Sequence, residues 1–265
     1  MTNKSIVLVI TLLAIGLTSC FQEYSNDDSF RKGWTLAWED NFDENLDKST
    51  WNIIPRGTQH TNRYMSDSAA LYGWEEGNLV LKGIVNNNDD GKTPFLTGGI
   101  TRDAVKSNEI KRIEARIRIN ATPGATPFMS LVPTGSEDNI SIDVIEQYGS
   151  DDFIYQSVTS EYTTTHGMPD NPPSSALVGV NPNEYHIYGV EKYTDSIVFY
   201  VDGTRTRKYP RIPTEIPGQF PFDDHDLDLF FGLRLNYDTD STVLPAEMYI
   251  DWVRFYEPEQ PEVVQ

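Results

Sequence analysis

Ile113-Glu114-Ala115-Arg116-Ile117-Arg118-Ile119 alternates apolar and charged side chains. Successive side chains leave a strand on opposite sides, so a period of two marks a strand with one face in the core and one in solvent. Working outward, Asn78 to Ile84 reads as a second strand after Glu76-Gly77, with Gly77 supplying the turn. Ser196 to Val201 reads as a third, ended by Asp202-Gly203, a strong hairpin signal. Leu227 to Leu235 and Met248 to Tyr256 are rich in aromatic and branched residues and read as central strands. Helical spacing is nowhere sustained, and prolines and glycines recur at short intervals. The expected fold class is all-β, a jelly-roll or related sandwich of two packed antiparallel sheets.

The N-terminus reads separately. Lys4 supplies a positive charge, Ile6 to Leu17 are almost all apolar, and Leu17-Thr18-Ser19-Cys20 closes the run with small residues before a cysteine. The apolar run is shorter than the ~20 residues a spanning helix needs, so residues 1–19 read as a secretory signal. Cys20 is the single cysteine and has no partner for an internal disulfide. A lone cysteine after such a run resembles the bacterial lipoprotein signal, which makes Cys20 the expected lipidation site; an ordinary signal peptide leaving a free thiol is the other reading. Residues 20–32 are polar and acidic and read as a flexible leash, and 258–265 as a disordered tail. The expected location is the cell envelope, lipid-anchored, at the outer membrane; the acidic leash resembles surface-export signals and extends the expectation to the outer surface. Residues 33–257 are one domain, a normal length for a single all-β sandwich. The formal net charge of −19 repels polyanions, which excludes nucleic acid as a partner and favours neutral ligands.

The stretch that carries chemistry is Asn139-Ile140-Ser141-Ile142-Asp143-Val144-Ile145-Glu146-Gln147-Tyr148-Gly149. In a regular strand Ile140, Ile142 and Val144 face one side and Ser141 and Asp143 the other. Glu146 is out of step by one residue, and a single bulge between Asp143 and Glu146 returns it to the face of Ser141 and Asp143.

This stretch, and the chain from about Gly33 to Tyr256, resembles glycoside hydrolase family 16, its laminarinase and mixed-linkage β-glucanase branch. The matching blocks occur in order: Trp34 to Phe42, Leu46 to Trp51, Asn62-Arg63-Tyr64-Met65-Ser66, Gly77 to Leu81, Thr97-Gly98-Gly99-Ile100, the strand around Ile113, and Met248 to Arg254. The resemblance implies a concanavalin A-like sandwich with a concave glycan cleft and a Glu-x-Asp-x-x-Glu signature on a bulged strand. Retaining chemistry uses two carboxyl groups about 5–5.5 Å apart, one attacking the anomeric carbon and one protonating the departing oxygen. The resemblance sets Glu146 at the acid/base position, Asp143 at the middle position and Ser141 where the nucleophile should be. A neutral hydroxyl cannot supply the attacking carboxylate. Without the third acid, the like-charge repulsion that keeps a proton on the donor is also weaker. Glu137 lies near Gly135 in an expected turn and is no substitute.

Other positions depart together. The family's two cleft tryptophans are matched by Thr126 and Ser130, and its histidine after the signature by Thr159. Arg63 and Tyr64 match a loop that faces the glycan, which makes them the expected substrate-binding pair; packing of the loop is the alternative. Tyr148, Tyr155 and Tyr162 either replace the lost aromatic walls or pack the sandwich. Glu39, Gly77 and Asp251 match positions near a structural calcium site; no cofactor is required. His166 and His186 lack metal-ligand spacing and read as a loop and a strand residue. The expectation is a monomeric, catalytically impaired lipoprotein that recognises a β-glycan, β-glucan-like in class, with a role in carbohydrate metabolism. The alternatives are an active retaining endo-β-glucanase and a structural surface domain.

Overall fold

Ile113, Ala115, Ile117 and Ile119 are buried in the main core, as their alternation requires. The computed structural model describes residues 28–43, 45–57, 61–88, 93–135 and 139–260. Sixteen strands occur among them. The first eight are β1 (Trp34–Asp40), β2 (Asn52–Ile53), β3 (Tyr72–Glu75), β4 (Asn78–Val85), β5 (Phe95–Thr97), β6 (Gly99–Val105), β7 (Lys111–Asn120) and β8 (Ala125–Pro133). They are followed by β9 (Ser141–Glu146), β10 (Phe153–Thr159), β11 (Ser175–Gly179), β12 (His186–Lys192), β13 (Ser196–Val201), β14 (Thr204–Pro210), β15 (Leu227–Leu235) and β16 (Ala246–Pro258). One turn of α-helix, α1 (Glu161–Thr164), lies between β10 and β11. No helix among the described residues is long and apolar enough to cross a membrane.

The strands form two antiparallel sheets, which makes the fold the expected all-β jelly-roll sandwich. One runs β14-β13-β12-β7-β16-β4-β3, with β1 and β5 added beside β16 and β4. The other runs β11-β10-β9-β8-β15-β6-β2. Their inner faces share one core that includes Trp51, Ile142, Tyr188, Phe199, Phe231 and Ile250. The outer face of the second sheet carries a smaller apolar cluster of Met65, Phe128 and Phe230.

Two expected boundaries shift. Asp28–Arg31, assigned to the leash, forms a 3-10 turn packed against the first sheet. Arg31 pairs with Glu114 at 2.7 Å, and Phe30 packs against Gly203. This contact, with the Arg112–Glu114 and Arg112–Glu191 pairs at 2.5 Å, buries part of the charged face of β7 that alternation alone assigns to solvent. A buried charge stays only if it is paired, and here each is. At the other end β16 continues to Pro258, which pairs with Trp34, and the Glu259 N–H donates to the Gly33 carbonyl. The rest of the tail, residues 261–265, lies outside the described residues.

The small cluster is closely fitted. A Cβ added at Gly232 would lie 2.8 Å from Met65 Cε and 2.8 Å from Phe128 Cζ. Overpacking of this kind costs about 1–3 kcal/mol, so Gly232→Ala should lower the urea midpoint with an unchanged slope. An unaffected midpoint would show that the cluster yields without strain.

Candidate active-site cleft

The site is built on β9, and β9 is bulged. Along β10, Tyr155 pairs with Glu146 and Ser157 with Asp143, so two steps on β10 span three on β9. On the other side Met129 pairs with Ile145 and Ser130 with Asp143, which places the extra residue at Val144. Val144 and Ile145 both enter the core at 0 % exposure, and Glu146 rejoins the outer face. The core holds the apolar residues, and the extra residue lets a second carboxylate turn outward.

Cross-strand pairing then lays out the cleft in rows. Ser157, Asp143, Ser130, Phe230 and Thr101 lie side by side across β10, β9, β8, β15 and β6. The next row is Tyr155, Glu146, Phe128 and Gly232. Above them is a cleft of about 550 Å³ lined by Ser141, Asp143, Glu146, Ser130, Arg234 and neighbouring residues.

Asp143 is buried and ringed by serines. Its Oδ1 accepts from Ser130 Oγ at 2.7 Å, and its Oδ2 from Ser141 Oγ at 2.8 Å and Ser157 Oγ at 2.9 Å. Burial raises its pKa above 3.8, and the nearby Glu146 carboxylate adds to the rise; the three hydroxyls oppose it. Glu146 has different partners. One of its oxygens accepts from the guanidinium of Arg234, on β15, and the other from Tyr148 Oη at 3.2 Å. The Arg234 guanidinium also lies 5.1 Å from the centre of the Phe128 ring. The face thus carries an ion-paired carboxylate, a buried carboxylate saturated by hydroxyls, and a serine.

Residues 100–254 match the model of glycosyl hydrolases family 16. The chain belongs to glycosyl hydrolase family 16. It is 24% identical over 241 residues to the keratan-sulfate endo-1,4-β-galactosidase of Sphingobacterium multivorum, covering 84% of this chain and 55% of that protein. It is 25% identical over 269 residues to glucan endo-1,3-β-glucosidase A1 of Niallia circulans, covering 84% of this chain and 38% of that protein. The chain thus spans about half or less of the length of these two relatives. Among solved structures, a glutamate-to-serine variant of a non-specific endo-β-1,3(4)-glucanase of the family, co-crystallised with 1,3-β-D-cellobiosyl-cellobiose, superposes with a TM-score of 0.71. It is 19% identical and covers 85% of this chain and 95% of that one.

The structure brings Ser141, Asp143 and Glu146 of this family-16 chain onto one face, with Thr159 and Ser130 beside them. Arg63 and Tyr64 follow the alternative reading, packing of the loop, and not the glycan-facing one. Tyr64 is buried in the core edge-on to Phe95, and the Arg63 guanidinium lies over the Tyr64 ring at 4.7 Å. Burying an aromatic ring outweighs exposing it at the cleft, which is lined by Thr61 and Asn62 of the same loop. Tyr162 is buried, with its hydroxyl on the Asn171 carbonyl, and packs the sandwich. Tyr148 and Tyr155 are on the cleft side. His166 lies after α1 near Glu161, and His186 is a β12 residue bonded to Asp202. Glu137 and Cys20 lie outside the described residues.

The two carboxylates expected around a calcium ion are both ion-paired with arginines. Such an ion takes six to eight oxygen ligands. The Glu39 carboxylate accepts from Arg254 and that of Asp251 from Arg116, while Gly77 sits in the β3–β4 turn. No group of three or more metal-ligating side chains occurs among the described residues.

The raised pKa of Asp143 has a consequence for stability. Its protonated form is favoured in the folded chain, so its contribution is fully present below 3.8 and is lost as pH rises through the folded pKa. Asp143→Asn removes that loss. Its stability relative to wild type should therefore increase from pH 4 to pH 7, read as urea midpoints. A gap that narrows with pH would show that Asp143 is stabilised as a carboxylate.

Proposed function

We propose that this domain holds a β-glycan, of the β-glucan or related β-galactan class, in its cleft without cleaving it. The observation that carries the reading is the ion pair of Arg234 with Glu146 beside a serine. A general acid must bring a proton to the departing oxygen, whereas a carboxylate accepting from a guanidinium brings none. Ser141 offers no alternative route. Attack by its hydroxyl would form a glycosyl–serine acetal as stable as the glycosidic bond it replaced, so turnover would stop there. The cleft retains hydroxyls and ion-paired groups that suit sugar hydroxyls. The glutamate-to-serine glucanase variant, crystallised with a 1,3-β-D-cellobiosyl-glucose at its active site, supports the view that this fold keeps its glycan after such a change.

Cys20 is proposed to carry the lipid once residues 1–19 are removed, tethering a monomer to the outer membrane. Palmitate labelling of the exported protein should occur and should be lost in Cys20→Ser; labelling that persists would place the anchor elsewhere.

Affinity electrophoresis through laminarin, mixed-linkage glucan or galactan should retard the wild type, and no reducing ends should be released. Ser141→Glu alone should remain inactive because Arg234 still holds Glu146. Ser141→Glu combined with Arg234→Leu should release reducing ends. Hydrolysis by the wild type, abolished by Glu146→Gln, would contradict the reading, as would the absence of binding across the panel.

A further inference from the structure

The cleft floor changes character at Glu146. The outward residues of β10 run Thr159, Ser157, Tyr155, Phe153, hydroxyl-bearing at one end and aromatic at the other. Tyr155 pairs directly with Glu146 on one side and with Leu177 of the edge strand β11 on the other. Neighbouring strands are about 4.8 Å apart, so this apolar group begins one strand from the carboxylate. Tyr148 stands over it, edge-on to Tyr155 with ring centres 5.0 Å apart, and Phe153 lies 5.5 Å from Tyr155 on the same side.

Tyr155 and Phe153 are half-buried, and the two side chains beside them are open to solvent. Tyr148 is 42% exposed and Leu177 60%. The orientation of Tyr148 is nonetheless fixed. The buried Gln147 side-chain amide donates to the carbonyls of Gly149 and Asp151, and the Gly149 N–H to the Ala125 carbonyl. Gly149 has φ +59°, the left-handed region that lets the loop turn back without strain. The Tyr148 hydroxyl is bonded to Glu146, which ties the ring to the cleft. An exposed, rigidly held aromatic group continuous with a polar cleft is the form of a ligand subsite.

Resting on the glycan-binding reading, we infer that Tyr148, Tyr155, Phe153 and Leu177 form a stacking subsite for a neutral pyranose of the bound glycan. The axial C–H face of a β-linked sugar packs on the rings, and its hydroxyls reach Glu146 and Arg234. The family's tryptophan positions on β8, Thr126 and Ser130, lie on the other side of β9, so the aromatic contact has moved from β8 to β10 and the loop after β9. A neutral sugar fits because Glu146 borders the platform and the chain carries a net charge of −19.

The test is affinity electrophoresis of the whole exported domain through laminarin, barley mixed-linkage glucan and desulfated keratan. Tyr148→Ala with Tyr155→Ala should weaken retardation about tenfold or more on whichever glycan retards the wild type. Tyr148→Phe with Tyr155→Phe should recover most of that loss. Leu177→Asp, at an exposed edge position, should weaken binding with unchanged thermal unfolding, which separates the subsite from a folding defect. If the wild type binds and these variants bind equally well, the subsite is wrong and the cleft reading stands. If the wild type binds none of the three, the cleft reading fails and takes the subsite with it.

Discussion

A strand alternates its side chains with a period of two, and β9 breaks that rule once, at Val144. The arrangement of the cleft follows from that extra residue. Ile142, Val144 and Ile145 fill the core between the sheets, while Ser141, Asp143 and Glu146 share the opposite face. Without the bulge, Glu146 would point into the core and Arg234 would have no partner on β9. The residue costs little locally because the strands on both sides, β8 and β10, adjust their register around it.

The charges on that face decide its chemistry. Retaining hydrolysis divides the labour between an unpaired carboxylate and a protonated one. Here both acids are already engaged by the protein's own side chains. Asp143 is saturated by Ser130, Ser141 and Ser157, and Glu146 is held by Arg234 and Tyr148. Both carboxylates are satisfied from within the protein, which suits a face that persists unchanged through binding. Two of these serines, Ser141 and Ser130, stand at the positions that the sequence resemblance matches to a nucleophile and a cleft tryptophan.

Much of the fold was legible because alternation is a strong local signal. Leu227–Leu235 is read to the residue, and the bulge follows from the parity of Glu146 against Ile142 and Val144. The 3-10 turn at Asp28–Arg31 was hidden because two residues, Phe30 and Arg31, dock a segment whose average composition is polar. Arg234 was invisible for another reason: it lies 88 residues from Glu146 and meets it only through β8 pairing with both β15 and β9. Ser130 registered as a lost tryptophan, while its role as a donor to Asp143 needed the register. Tyr148, Tyr155 and Tyr162 are indistinguishable by type. Parity with Thr159 was the available signal for Tyr155, and Tyr162 lies beyond the strand, where parity no longer applies.

A cleft that holds its glycan whole leaves every glycosidic bond intact. The most direct measurement is prolonged incubation of the protein with the glycan it binds, in water enriched in oxygen-18, followed by mass spectrometry of the recovered saccharide. Any hydrolytic event would place one heavy oxygen on a newly formed chain end and shorten the chain. The expected result is a glycan recovered at its original length with no heavy oxygen incorporated beyond a protein-free control. Shortened products carrying the label, absent when Glu146 is replaced by Gln, would contradict it.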